Sequence, residues 1–196
     1  MSDRDYPQKR HKKPPKPLDS ARLQELALAY VARFSTTQAK LEAYLQRKLR
    51  ERGWDEEDWP DLSALSSRYV ELGYIDDALY AKSRASSLLG RGYGSRRVDQ
   101  ALYAAGVGEG IRSDVAPDEA ARRQSVLAMV RKRRFGPFFR GELEKDRREK
   151  QIAALLRAGH GFDCVRAVMD APNENAAEEW AEEARSDGGF EDGFDQ

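Results

Sequence analysis

Three glycines, Gly53, Gly106 and Gly159, lie 53 residues apart, and each closes a stretch that reads as a basic amphipathic helix. Four residues before each glycine stands a leucine: Leu49, Leu102 or Leu155. Glycine suits the left-handed residue that terminates a helix, because without a Cβ it takes positive φ at no steric penalty. A further segment with a helical pattern follows each one. A chain that repeats one supersecondary unit at a fixed period buries its core by stacking neighbours rather than by closing a single bundle. The spacing therefore predicts an all-α fold of three tandem three-helix repeats forming an elongated array. The register holds for the middle helix of each module, while the linkers before it differ: 91–94 is short and 135–141 is longer.

The apolar pattern agrees with helices throughout. Leu23, Leu26, Ala27, Tyr30, Val31 and Phe34 recur at the spacing of one helix face. Leu41, Tyr44, Leu45 and Leu49 repeat the pattern behind a capping cluster, Ser35-Thr36-Thr37. Leu62, Leu65, Tyr69 and Leu72 form a third face, with Pro60 in the first turn and Gly73 just past the end. Asp76 and Asp77 suit the start of a fourth helix running to about Gly90. Ser95 is placed to cap a fifth. Helices near 109–115, 118–134, 142–158 and 162–170 complete the reading, and strand-favouring β-branched runs are missing. The boundaries expected are repeat 1 over 19–75, repeat 2 over 76–116 and repeat 3 over 117–170.

Charge divides the chain differently. There are 34 Lys and Arg against 34 Asp and Glu, yet residues 1–18 carry six basic side chains and only two acidic ones. Residues 171–196 carry nine acidic side chains against the single Arg185. A basic body is thus joined to an acidic tail, a distribution associated with polyanion binding. Pro7, Pro14, Pro15 and Pro17 among lysines predict an extended, disordered arm over 1–18. The glycine-containing acidic tail over 171–196 is expected to be largely disordered, with a helical turn or more around 174–185. The one thiol, Cys164, fits a reducing compartment. No apolar run approaches the ~20 residues that span a bilayer, so a cytoplasmic protein is expected.

No catalytic constellation stands out. His160 and Cys164, at i and i+4, offer two metal ligands without a second pair, so neither a metal nor another cofactor is expected. GRGYGSRR (90–97) lacks the ending of a phosphate loop and no strand precedes it. Gly106-Val107-Gly108-Glu109-Gly110 fails the dinucleotide fingerprint for the same reasons. Basic residues instead gather with aromatics. Arg91, Arg96 and Arg97 flank Tyr93. Arg131, Lys132, Arg133 and Arg134 precede Phe135, Phe138 and Phe139. Lys145, Arg147, Arg148 and Lys150 follow. Four consecutive cations run round a helix and exceed what the helix dipole needs at its C-terminus. Phosphate contact and base stacking would use this combination, as would an acidic protein groove.

Three blocks in order then carry a resemblance. They are LAYVARFSTTQAKLEAYLQRKLRERG (28–53), LGYIDDALYAKSRASSLLGRGYGSRRVDQALYAAGV (72–107) and RRFGPF with EKQIAALLRAGHGFDCVRAVMD (within 133–170). Together they resemble the RecX regulatory proteins, the third block most closely the alphaproteobacterial members. Gly73-Tyr74-Ile75-Asp76-Asp77 followed by Tyr80-Ala81 is the sharpest piece. Thr37-Gln38-Ala39-Lys40-Leu41 departs from the family's usual Ser-Arg-Ala-Glu-Leu. The resemblance implies three three-helix repeats in a curved rod and a non-enzymatic, monomeric protein. Its implied partner is the RecA filament on single-stranded DNA, whose recombinase, ATPase and co-protease activities it modulates, most often by inhibition, in DNA repair and the SOS response. Direct contact with the single-stranded DNA is a further partnership to test. The binding residues expected are Arg91, Arg96, Arg97, Arg131, Lys132, Arg133, Arg134, Lys145, Arg147 and Arg148. The alternative is a helical DNA-binding protein that acts independently of RecA; an enzyme hidden in a helical fold is a remoter one.

Overall fold

A computed structural model describes residues 16–187. The order is α1 (Ser20–Arg33), α2 (Gln38–Arg52), α3 (Leu62–Glu71), α4 (Asp77–Gly90), α5 (Ser95–Tyr103), α6 (Glu109–Asp114), α7 (Glu119–Arg133), a 3-10 turn (Gly136–Phe138), α8 (Lys145–Arg157), α9 (Phe162–Asp170) and α10 (Glu174–Asp187). No named strand occurs among these residues; a lone parallel bridge joins Leu18 to Trp54. Local chemistry sets most helix starts. The side chains of Asp19, Thr37, Asp61, Asp76 and Asp118 each accept a hydrogen bond from the backbone N–H three residues on, satisfying a donor the helix cannot. Two expected details differ. Pro60 lies before the cap Asp61 rather than in the first turn, and Ser95 is the first residue of α5, whose N-cap is Gly94 without a side-chain bond.

Buried residues fall into three clusters. Leu23, Ala27, Leu41, Leu45, Leu49 and Tyr69 centre the first, among α1–α3. Ala81, Ala85, Leu88, Val98 and Leu102 centre the second, among α4–α6. Val126, Val130, Leu155, Val165 and Val168 belong to the third, among α7–α9. Leu45 is fully buried and Leu49 nearly so, and truncating either to alanine would cost about 2–5 kcal/mol. Leu72 and Phe34, read as members of apolar faces, are instead exposed, each falling where its helix ends and the face turns away from the core.

Gly53, Gly106 and Gly159 all take positive φ, at 81°, 75° and 94°. The last two close their helices alike: each N–H donates to the carbonyl three residues back, and the next N–H to that of Leu102 or Leu155. The clusters join through these helix ends. Thr37 Oγ1, at the cap of α2, donates to the Ala105 carbonyl at 2.5 Å, and Gly106 abuts Ala39. The cap of α5 does the same one step along: Gly94 N–H donates to the Ala158 carbonyl at 3.0 Å and Arg96 N–H to that of Gly159 at 3.2 Å. A Cβ on Gly94 would overlap the Gly159 carbonyl, so this joint is backbone against backbone.

Where the described residues reach into the expected arm and tail they are ordered: Leu18 is packed, and the helical turn expected around 174–185 is a full helix over Glu174–Asp187. Leu18 is fully buried, its N–H donating to the Gly53 carbonyl at 3.0 Å and its carbonyl accepting from Asp55 N–H at 2.8 Å. It thereby occupies on Gly53 the place that Arg96 occupies on Gly159, and caps the first cluster with the first aliphatic side chain to follow the proline-rich stretch. Residues 1–15 of the expected arm lie outside the described residues. At the other end, α10 packs along α7 with Ala177 and Ala181 fully buried in the third cluster. Glu174, Glu179, Glu182 and Glu183 face outward while alanines at i and i+4 face in, a pattern that net charge conceals. Residues 188–196 of the expected tail lie outside the described residues.

Candidate functional site

Of the basic residues singled out in the sequence, Arg91, Arg96 and Arg97 are exposed and stand on the joint between the second and third clusters. Arg91 lies 5.4 Å from the centre of the Tyr93 ring. Arg97 lines a pocket of about 380 Å³ with Lys40, Tyr80 and Arg84. Lys40 donates to the Tyr80 hydroxyl and lies 4.6 Å from its ring centre. Gly92 meets Met129 of α7, which brings the 91–94 loop beside the last turns of that helix. The two basic segments are therefore neighbours in the fold.

The second group separates into paired and unpaired cations. Arg131 is held by Glu178 of α10, and Arg148 by Asp170 at the end of α9. Lys132 and Lys145 are exposed. Arg133, Arg134, Arg140, Arg147 and Lys150, by contrast, converge on one pocket of about 520 Å³ with no carboxylate in its wall. None of these five makes an ion pair among the described residues. Arg133 and Arg147 approach aromatic faces, 5.9 Å from the Phe135 ring centre and 4.2 Å from that of Phe139.

The turn that builds this pocket has identifiable causes. α7 ends at Arg134, which takes φ 54° and ψ 53°, the left-handed conformation that costs a side chain roughly 1–2 kcal/mol. Phe135 N–H then closes on the Val130 carbonyl at 2.9 Å, the closure that glycines provide at 73, 92, 106 and 159. Gly136 at φ 50° lies against the Met169 sulfur, and Phe138 is buried, so the 3-10 turn is fixed to the core. Gln151, only 5% exposed, accepts from Gly136 N–H through Oε1 at 2.9 Å and lines the pocket floor. That bond orients the amide, and its Nε2 finds no acceptor among the described residues. Sequence reasoning missed Arg140, which stands alone between Arg134 and Lys145, and Gln151, whose polarity looked ordinary.

His160 and Cys164 do not share a helix face, because α9 starts at Phe162 and His160 precedes it. His160 Nε2 meets the Gly92 carbonyl at 3.0 Å, so that nitrogen carries the proton. Burial holds the imidazole below its ordinary pKa, and burial likewise pushes the Cys164 thiol up, away from the thiolate. Among the described residues no helix is long and apolar enough to cross a membrane.

No family model matches the chain. Curated relatives do. A regulatory protein RecX from Mycobacterium sp. (strain JLS) is 32% identical over 167 residues, covering 84% of this chain and 90% of the relative. That of Myxococcus xanthus is 28% identical over 85% of this chain and 94% of its own. That of Thermus thermophilus is 31% identical over 69% and 83%. The crystal structure of RecX from Lactobacillus salivarius superposes with a TM-score of 0.59 at 19% identity, over 75% of this chain and 92% of that one, and so shares the fold. Identity of 32% across 84% of this chain and 90% of the relative places the chain in the RecX family of regulatory proteins.

Proposed function

We propose that the chain binds the helical filament that RecA forms on single-stranded DNA, and that it restrains filament extension, strand exchange, ATP hydrolysis and co-protease activity, in DNA repair and the SOS response. The observation that carries this reading is the family membership, spread over 84% of the chain rather than over one module. The structure supports it physically. Three clusters joined end to end offer repeated surfaces to a repeating partner. Weak contacts from several modules then add through effective concentration, so an assembled filament is held better than a free protomer. The exposed cations at Arg91, Arg96, Arg97, Lys132 and Arg133 supply charge for the filament's phosphates or an acidic RecA face. The protein acts by binding, as a cytoplasmic monomer, and a ligand of this kind shifts assembly only by its preference for one filament state.

The test is RecA ATPase turnover and strand exchange on single-stranded DNA, with the protein added below RecA stoichiometry. Both rates should fall. Rates unchanged at a tenfold excess would overturn the reading, and stimulation would reverse its sign. Salt-dependent duplex binding together with indifference to RecA would favour a DNA-binding protein that works alone.

A further inference from the structure

We infer that the pocket between the end of α7 and the start of α8 is a binding site for single-stranded nucleic acid, holding one nucleotide with its phosphates among guanidinium groups and its base against an aromatic wall. The inference does not rest on the RecA reading, since it needs no partner protein. Five cations, Arg133, Arg134, Arg140, Arg147 and Lys150, line a pocket of about 520 Å³, a size suited to a small organic ligand. Two neighbouring cations are by contrast paired, Arg131 with Glu178 and Arg148 with Asp170. Like charges gathered without a carboxylate repel one another, and an anion relieves that repulsion.

Three features narrow the anion. First, the wall carries Phe135 and Phe139, with Arg147 stacked 4.2 Å from the Phe139 ring centre. Bases stack on aromatic rings and on guanidinium planes, whereas an acidic peptide has no flat face to offer. Second, Gln151 has its Oε1 held by Gly136 N–H and its Nε2 without an acceptor among the described residues, which leaves that Nε2 as a donor for a base carbonyl or a phosphate oxygen. Third, an arginine occupies the left-handed position 134, where the similar helix ends of this chain use glycine. The conformation projects a cation onto the pocket at an expense that a glycine would avoid. A duplex keeps its bases stacked and unavailable, so a single strand is the form that fits.

The experiment measures anisotropy of a fluorescent oligothymidylate of about 12 nucleotides with the full chain and no RecA. The comparisons are an abasic strand of equal length and a polyglutamate peptide. Oligothymidylate should bind best, with either competitor at least about fivefold weaker. Phe139→Leu should erase the preference over the abasic strand. Arg134→Gly, which relaxes the helix end, should weaken binding and lower the salt slope by about 0.7 with no loss in melting temperature. Polyglutamate binding as tightly as the strand would overturn the proposal and make the pocket an acidic-protein site. Equal binding of abasic and thymidylate strands by the wild type would overturn the base-stacking site. Unchanged affinity and salt slope in Arg134→Gly would overturn the location. Because RecA is absent, failure here leaves filament regulation standing, and failure of filament regulation leaves this site standing.

Discussion

Gly94→Ala should weaken the joint between the second and third clusters, although nothing local forbids alanine there. Gly94 has φ −83° and ψ 171°, ordinary extended backbone, and it caps α5 without a side-chain bond. Gly108 and Gly161 play the same part for α6 and α9 at φ −60° and −69°. A Cβ at 108 or 161 meets nothing within 4 Å, while at 94 it overlaps the carbonyl of Gly159 and the amide of His160. Restoring van der Waals contact requires the two backbones to part by about 1 Å. The bonds from Gly94 N–H and Arg96 N–H, now 3.0 and 3.2 Å long, then lengthen past useful range at about 0.5–1.5 kcal/mol each. The His160 to Gly92 bond strains with them, exposing a buried donor to a penalty of about 1–3 kcal/mol. Against this, alanine restricts the unfolded chain by about 0.4–1 kcal/mol. The net is a loss of about 1–5 kcal/mol centred near 3, or about 6–12 °C in melting temperature at that centre for a chain of this size. Urea titration followed by fluorescence reads the third-cluster side of the joint through Trp180 on α10, while Trp54 and Trp59 report on the first cluster. Gly108→Ala and Gly161→Ala should stay within about 0.5 kcal/mol of wild type. If Gly94→Ala joins them there, the backbone-to-backbone joint is wrong.

Arg134→Gly should stabilise the chain by about 1 kcal/mol by removing a left-handed arginine; a lower melting temperature would refute the strain argument. His160 has its pKa depressed by burial, so the unfolded state binds its proton more tightly. That contribution to stability is present above the ordinary pKa of about 6.5 and is lost as pH falls toward the folded value. Denaturation at several pH values, compared with His160→Gln, should show this slope in the wild type and its loss in the variant; parallel curves would refute it. Ala181→Asp should destabilise by more than about 3 kcal/mol, because it buries an unpaired carboxylate between α10 and α7, and a melting temperature near wild type would return α10 to a dispensable tail.

Much of the molecule was legible in the sequence, for reasons of range. Caps such as Thr37, Asp76 and Asp118 act within three residues, and the leucines of α2 face the core at helical spacing. The positive φ of Gly53, Gly106 and Gly159 follows from a rule about one residue and the helix before it. The basic clusters were visible as composition. Their division was not, because Arg131 and Arg148 are paired by Glu178 and Asp170, 47 and 22 residues away.

The sequence by itself determined the helices, their ends and the family, because each depends on neighbours along the chain or on residues in a fixed order. Tertiary structure alone decided that Leu18 closes one end, that the acidic α10 closes the other, and that Gly94 is held against Gly159. It alone gathered Arg134, Arg140, Arg147 and the buried Gln151 around one pocket. These are relations between segments that meet only after burial has removed their apolar faces from water. A charge or a glycine takes its meaning there from what lies opposite, which linear spacing does not record.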